Sequence, residues 1–310
     1  MKIILLRFIF KWALMFSKAF FFSFPMSFNV PFRPPPPTTT TTSAHPSALR
    51  HAPNWRQGFE MFGFAVGLLV LLGLIVHGAQ SLQYPWKWAK VPDYLFHQVD
   101  GKIFLGPLME GLVVTLQICA LATPLALFIG LFLALLRLSH SPLGRSMARL
   151  IIELIRNTPL LIQMLIFYFI IADLLSISRL SSGIFCLAFH EGSYCAEIIR
   201  GGILSVRQGQ HEASDALGLS IKNRYRHIII PQALPLILPP LGGVLINLLK
   251  HSSFVSAIAI FDLTTQARSI VSDTYMAFEI WLTTAALYML MTLSLSLLIH
   301  RLEQHFQRRA

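Results

Sequence analysis

The stretch EASDALGLSIKNRYRHIIIP, running from Glu212 to Pro231, decides how the rest of the chain is read. Ala213, Ala216 and Leu217 make a short apolar stripe on a helix that ends near Gly218, a residue able to supply a left-handed cap. Ser220 can then cap a second helix, which carries Lys222, Arg224 and Arg226. Pro231 restarts the chain at the edge of a long apolar run. The pattern predicts two short helices with a turn between them, projecting into water from an apolar segment.

The surrounding chain cannot be an ordinary soluble protein. Of its 310 residues, 55% are apolar and only 13% are charged, and the mean hydropathy is +0.62. A soluble domain carries about 25% charged residues, so this composition cannot build a water-facing surface of normal size. A soluble enzyme, a disordered tail protein and a disulfide scaffold are poor readings. Crossing about 30 Å of hydrocarbon takes roughly 20 apolar residues in a helix. Six segments qualify: 59–79, 107–136, 150–172, 183–199, 233–249 with a continuation near 254–261, and 278–299. The fourth is short and carries His190, Glu191 and Glu197. The expected fold is all-α, a polytopic integral membrane helix bundle. Cys119, Cys186 and Cys195 sit in apolar stretches with no metal-type spacing and read as small buried residues.

The net charge of +11 is mostly a topology signal rather than a nucleic-acid surface. Segments 29–58, 137–149, 201–230 and 301–310 hold 13 Lys or Arg, whereas 80–106, 173–182 and 263–278 hold five. Alternation along six spans puts the first set on one side, and the positive-inside rule makes that side cytoplasmic, with both ends of the bundle on it. Tyr84-Pro85-Trp86-Lys87-Trp88 supplies aromatic rings suited to the outer interface. Residues 1–28 form a Phe-rich leader whose Arg7, Lys11 and Lys18 share one helical face and suit a helix lying on membrane lipid. A signal-like segment, or a natural start further downstream, are the other readings. Within 29–58, Pro34-Pro35-Pro36-Pro37 and the threonines 38–42 read as an extended linker. The membrane domain is 59–303, with a tail at 304–310.

The spacing of the opening stretch resembles the EAA loop of ABC importer permeases: Glu-Ala-Ala, three residues, Gly, nine residues, Ile, one residue, Leu-Pro. Here it reads Glu212-Ala213-Ser214, Gly218, Ile228 and Ile230-Pro231, with Ser214 and Ile230 as conservative departures. The resemblance covers roughly 59–303. Gly111-Leu112-Val113-Val114-Thr115-Leu116, Ile155-Arg156-Asn157-Thr158-Pro159-Leu160-Leu161-Ile162-Gln163 and Glu197-Ile198-Ile199-Arg200-Gly201-Gly202-Ile203 look like signatures of the polar amino-acid uptake permeases, the histidine, glutamine and glutamate permease-like group. So does Asn247-Leu248-Leu249-Lys250-His251-Ser252-Ser253, with His251 a less usual choice.

What the resemblance implies is a type I ABC importer permease fold in the bacterial inner membrane, with about six transmembrane helices. A cytoplasmic coupling loop at 205–231, bearing Glu212, Ala213, Ser214, Gly218, Ile228 and Pro231, would insert in a cleft of the ATP-binding subunit. The implied partners are two ATPase subunits, a second permease (identical or paralogous), an external substrate-binding protein and a polar L-amino acid. No GxxxxGK[ST] phosphate loop occurs, so ATP and Mg belong to the partner, and the chain is expected to be a transport subunit with no catalytic residue, cofactor or metal of its own.

Charges at membrane depth mark a pathway or a buried pair. Glu153 with Arg156, and Glu197 with Arg200, are three apart and can pair near cytoplasmic helix ends. Glu191 has no Lys or Arg at helical spacing, so it must face a cavity, a partner or a hydrogen bond involving His190 or a neighbouring helix. Asn247, Lys250, His251, Ser252 and Ser253 make a polar break that can expose backbone to a cavity, and Lys250 can neutralise a helix C-terminus or meet a substrate carboxylate. Glu191, Asn247, Lys250, His251 and Ser252 are therefore the candidate substrate path. The competing functions are a secondary transporter or channel without an ATPase, and an assembly or sensory protein that only docks one.

Overall fold

Runs of apolar residues without water to satisfy their backbone must become helices, and the helices found here follow the hydropathy closely. The structure is a computed structural model that describes residues 55–81 and 84–307. The leader 1–28 and the linker up to residue 54 lie outside the described residues. The chain divides into two units at Gly78 and Ala79. The first holds most of α1 (Trp55–Ser81), which begins inside the segment read as linker; from Phe62 to Leu74 its side chains are exposed and largely apolar. A helix apolar all round suits lipid.

In the second unit a short helix α2 (Val91–Leu95) leads into a hairpin, β1 (Phe96–Val99) and β2 (Lys102–Leu105). The strands pair antiparallel with Val99 opposite Lys102. Asp100 and Gly101, at φ 51° and 75°, form the connecting turn, for which an Asp-Gly pair is well suited. Then come α3 (Pro107–Leu138), α4 (Pro142–Arg156) and α5 (Leu160–Ile166), which continues through a π-helical stretch, Phe167–Ala172, to Leu175. α6 (Arg179–Leu204) follows, then α7 (Gln208–Ala216) and α8 (Ile221–Arg224). A second π-helical stretch, Tyr225–Ile229, joins α8 to α9 (Ile230–His251). A 3-10 segment, Ser252–Ile258, leads to α10 (Leu263–Thr274) and α11 (Ala277–Gln307).

Among the described residues, three helices have the length and apolarity to cross a membrane: Pro107–Leu138, Ile221–Ile258 and Ala277–Gln304. A fourth is reached if the bent pair Pro142–Arg156 and Leu160–Leu175 is counted as one span. The short fourth segment of the sequence reading lies within α6, whose 26 residues are about 39 Å long but carry Glu191, Glu197 and Arg200.

One expected span is not straight. Segment 150–172 is broken between α4 and α5 by a bend of 107°. Pro159 has no N–H and disfavours helical geometry in the residue before it, so the helix ends at Arg156. The carbonyls left open are taken by side chains: Asn157 Nδ2 donates to Glu153 O at 2.8 Å, and Thr158 Oγ1 to Leu154 O at 2.7 Å. Gln163 Nε2 donates to both Ile155 O and Thr158 O, at 2.5 and 2.8 Å.

α6 is the helix around which the others pack. It buries Gly183, Ile184, Leu187, Ala188, Cys195 and Ala196 together with His190, Glu191 and Ser193. α3 lies along it at backbone distance: a Cβ on Gly130 would collide with Cys195 Cβ, and one on Gly192 would come within 2.9 Å of Ile129 Cγ2. Small residues permit such approach where lipid gives no hydrophobic drive to association. At the far end, buried Glu279 near the start of α11 accepts from Tyr84 Oη at 2.7 Å and from Lys87 N at 2.6 Å, tying the aromatic Tyr84–Trp88 segment to α11.

Gly130→Val should therefore overpack the α3–α6 seam, at a cost of about 1–3 kcal/mol. Thermal melting of the detergent-purified protein should show a lowered midpoint. Gly209→Ala, where a Cβ meets nothing within 4 Å, should not lower it.

Candidate functional site

The water-exposed loop forms as its residues dictate, and more rigidly than expected. α7 ends at Ala216, and Gly218 takes the left-handed conformation at φ +66°. Gly218 N donates to Asp215 O at 2.9 Å and Leu219 N to Ser214 O at 3.1 Å, the paired bonds of a Schellman cap. Ser220 caps α8, its Oγ accepting from Asn223 N. Glu212, Ala213, Ala216 and Leu217 are exposed, with Leu217 at 75%. Ser214 is fully buried, and its hydroxyl donates to Gln210 O and His211 O, so the departure from Ala is accommodated within the helix itself. Glu212 accepts from Gln208 Nε2 at 2.9 Å, which poises its carboxylate on the exposed face. Ile228 is half-buried and Pro231 exposed.

Two features of the loop differ from the sequence reading. Pro231 does not restart the chain: it follows directly on the π-helical stretch Tyr225–Ile229, and Ile221–Ile258 runs as one long helical element. A salt bridge also joins the two limbs, Arg224 Nη2 to Asp215 Oδ1 at 2.6 Å, with Arg224 Nη1 on Asp215 Oδ2 at 3.2 Å. Sequence reasoning did not single out this pair. Opposite charges on either side of a glycine turn were the available signal.

At membrane depth, the structure brings some of the path residues together and leaves others apart. Glu191, 2% exposed, is partnered across 60 positions by His251: Nδ1 donates to Oε1 at 2.6 Å. His190 Nδ1 meets Gln163 Oε1 at 3.2 Å, and the His190 and His251 rings stand edge to face at 5.7 Å. Ser252 is buried with its hydroxyl on Leu249 O, whereas Asn247 and Lys250 are exposed on α9. The expected polar break is displaced. α9 remains helical through Asn247 and Lys250, and tightens to 3-10 geometry only at Ser252. Asn247, with a donor and acceptor of its own, is tolerated on an exposed helical face.

The ion pairs near the helix ends also partly reassign. Glu197 meets Arg200 at 2.8 Å as the spacing suggests, and Arg137 at 3.6 Å. Glu153 instead pairs with Arg149, four residues back, at 2.7 Å. The Arg156 guanidinium lies 5.0 Å over the Tyr194 ring, because α4 ends there and turns its last residue toward α6.

A polytopic helix bundle that presents a capped two-limbed loop to water, with a buried polar cluster at its centre, is the membrane-spanning part of a transporter. Residues 126–310 match the family described as binding-protein-dependent transport system inner membrane component, and the chain belongs to it. It is 36% identical over 203 residues to the glutamine transport system permease protein GlnP of Escherichia coli (strain K12), covering 64% of this chain and 93% of that protein. It is 31% identical over 278 residues to the arginine transport system permease protein ArgU of Corynebacterium glutamicum, covering 84% and 82%. Among solved structures, an amino acid ABC transporter crystallised with histidines is 40% identical, with a TM-score of 0.60 over 64% of this chain and 94% of that one. The MetNI methionine ABC transporter, at 20% identity and a TM-score of 0.55, shares the fold. The fold is that of the type I ABC importer permeases, and the protein is a multi-pass inner-membrane permease.

Replacing Gly218 with Val would force a β-branched residue into left-handed backbone and open the Schellman cap. Limited proteolysis should then cut between 208 and 224 several-fold faster. Asp215→Arg should do the same, and Asp215→Arg with Arg224→Asp should restore most of the protection.

Proposed function

We propose that this chain forms one half of the translocation path of an ATP-driven importer that carries a polar L-amino acid delivered by an external binding protein. Two ATPase subunits drive it from the cytoplasmic side, and a second permease, identical or paralogous, completes the path. The observation that carries this reading is the loop 208–231, with Glu212, Ala213 and Leu217 exposed on a capped, cross-braced hairpin of helices. Exposed apolar and small side chains beside the Glu212 carboxylate suit insertion into a protein cleft. Glu212, Ala213, Ser214, Gly218, Ile228 and Pro231 constitute the coupling loop. ATP and Mg are held by the ATPase, and this chain hydrolyses nothing.

The substrate class follows from relatives named for glutamine and arginine, both polar amino acids. Of the candidate path residues, half-exposed His251 stands at the α6–α9 contact with Glu191 and Ser252 buried behind it, and Asn247 and Lys250 continue along the exposed face of α9. The 13 basic residues in segments 29–58, 137–149, 201–230 and 301–310 support a cytoplasmic side for those segments and for both ends of the bundle.

Glu212→Lys reverses the carboxylate of α7 that makes no salt bridge, Asp215 being held by Arg224. In proteoliposomes containing the complete importer, ATP-dependent uptake should fall at least tenfold and ATPase co-purification should weaken, while the chain stays in the membrane. Unchanged uptake by that variant would remove the coupling-loop assignment. Glu191→Gln should shift the substrate concentration for half-maximal uptake or for ATPase stimulation. If neither moves, Glu191 does not line the path.

A further inference from the structure

The polar cluster between α6 and the end of α9 contains more than an ion pair. His190, Glu191 and His251 each offer one ligand atom, and these three atoms lie within 4.8 Å of one another. His190 and Glu191 are buried at 6% and 2% exposure, while the His251 side chain is 35% exposed, so the cluster is enclosed on the α6 side and open on the other. Two imidazoles and one carboxylate form a donor set suited to zinc and its transition-metal neighbours, and ill suited to magnesium or calcium, which take oxygen ligands.

The protonation of the cluster follows from its hydrogen bonds. Gln163 Nε2 donates to two backbone carbonyls, so its Oε1 is the atom turned to His190. His190 Nδ1 then donates to that oxygen, and in the neutral ring this tautomer leaves Nε2 with its lone pair. Histidine ligands of metals are held in this way, one nitrogen anchored by a carbonyl and the other left to bind. Gln163 is itself fixed by the carbonyls that the Pro159 break exposes, so the anchor is rigid. Glu191 Oε1 and His251 Nδ1 already converge at 2.6 Å. Tetrahedral ligands about 2.0–2.2 Å from one ion sit roughly 3.4 Å apart, a separation that a small rotation of the half-exposed His251 supplies.

We propose that His190, Glu191 and His251 form a binding site for a divalent transition-metal ion, zinc in the first instance, that ties α6 to the end of α9. The ion takes the place of the proton between Glu191 and His251, and that proton leaves to solvent. The open side at His251 provides the entry and leaves a coordination position for water. Gln163 acts as a positioning residue through His190. The site uses residues that the transport reading assigns to the path, but metal binding does not depend on that reading, because it is measured on the resting protein.

The test is equilibrium dialysis of zinc against the purified importer complex in lipid nanodiscs, without ATP or amino acid and with any affinity tag removed. Wild type should hold one tight zinc per permease chain that excess magnesium does not displace. His251→Ala should weaken that site at least about tenfold, and Gln163→Ala about tenfold or more through loss of the anchor. Copper(II) bound at one equivalent to the wild type should show two imidazole nitrogens in its electron paramagnetic resonance spectrum, a readout that needs no variant. Absence of a stoichiometric site, a site unchanged by His251→Ala, or a copper spectrum with fewer than two nitrogens would overturn the assignment. Uptake by the wild type has no bearing on this result, so failure of the metal site and failure of the transport reading are distinguishable.

Discussion

A polar helix must be kept dry, and the rest of the bundle is arranged to allow it. α6 buries Ser182, His190, Glu191 and Ser193 at or below 6% exposure. A polar group left without a partner in such surroundings costs several kcal/mol, and removing one partner of a buried ion pair costs about 3–5 kcal/mol. Each of these groups is met. Ser182 and Ser193 turn their hydroxyls back to Ser178 O and His190 O; Glu191 receives His251 from α9, and His190 receives Gln163 from α5. The close seam of α3 against Gly192 and Cys195 excludes lipid from the opposite side.

The bend at Pro159 belongs to the same arrangement. A straight helix through 150–172 would have satisfied its own carbonyls and left Gln163 nothing to hold. Because Pro159 ends α4, Ile155 O and Thr158 O are open, and Gln163 Nε2 binds both while its oxygen reaches His190. A local backbone rule in one element thereby orients a side chain in another. The chain of contacts runs from the proline break through Gln163 to His190, and from its neighbour Glu191 to His251.

Local features of this protein were legible in its sequence, and features joining distant residues were not. The left-handed Gly218 and the Ser220 cap depend on residues within one or two turns, and the structure has them where the spacing puts them. The Asp100-Gly101 turn obeys the same kind of rule; the signal was present but hidden inside a segment treated as a loop. The Pro159 bend was missed because hydropathy averages across a break that only backbone geometry enforces. Pairing went astray where two choices lay at helical spacing, as when Glu153 took Arg149 rather than Arg156. The Glu191–His251 and Asp215–Arg224 contacts depend on how helices cross or turn back, which no spacing of one or two turns encodes.

The continuity of α8 with α9 puts the loop and the polar centre on one helical element. The π-helical stretch Tyr225–Ile229 carries the helix from α8 into α9 without a break, with Pro231 directly after it. The element Ile221–Ile258 is 38 residues long, with the Arg224 brace to α7 near one end and His251 near the other. Pro235, Pro239 and Pro240 lie inside α9, each removing one backbone donor, so the element is continuous between the loop and His251 but not uniformly hydrogen-bonded. The Glu191–His251 contact joins α6 to the far end of this element, as the Glu197–Arg137 pair joins α6 to α3.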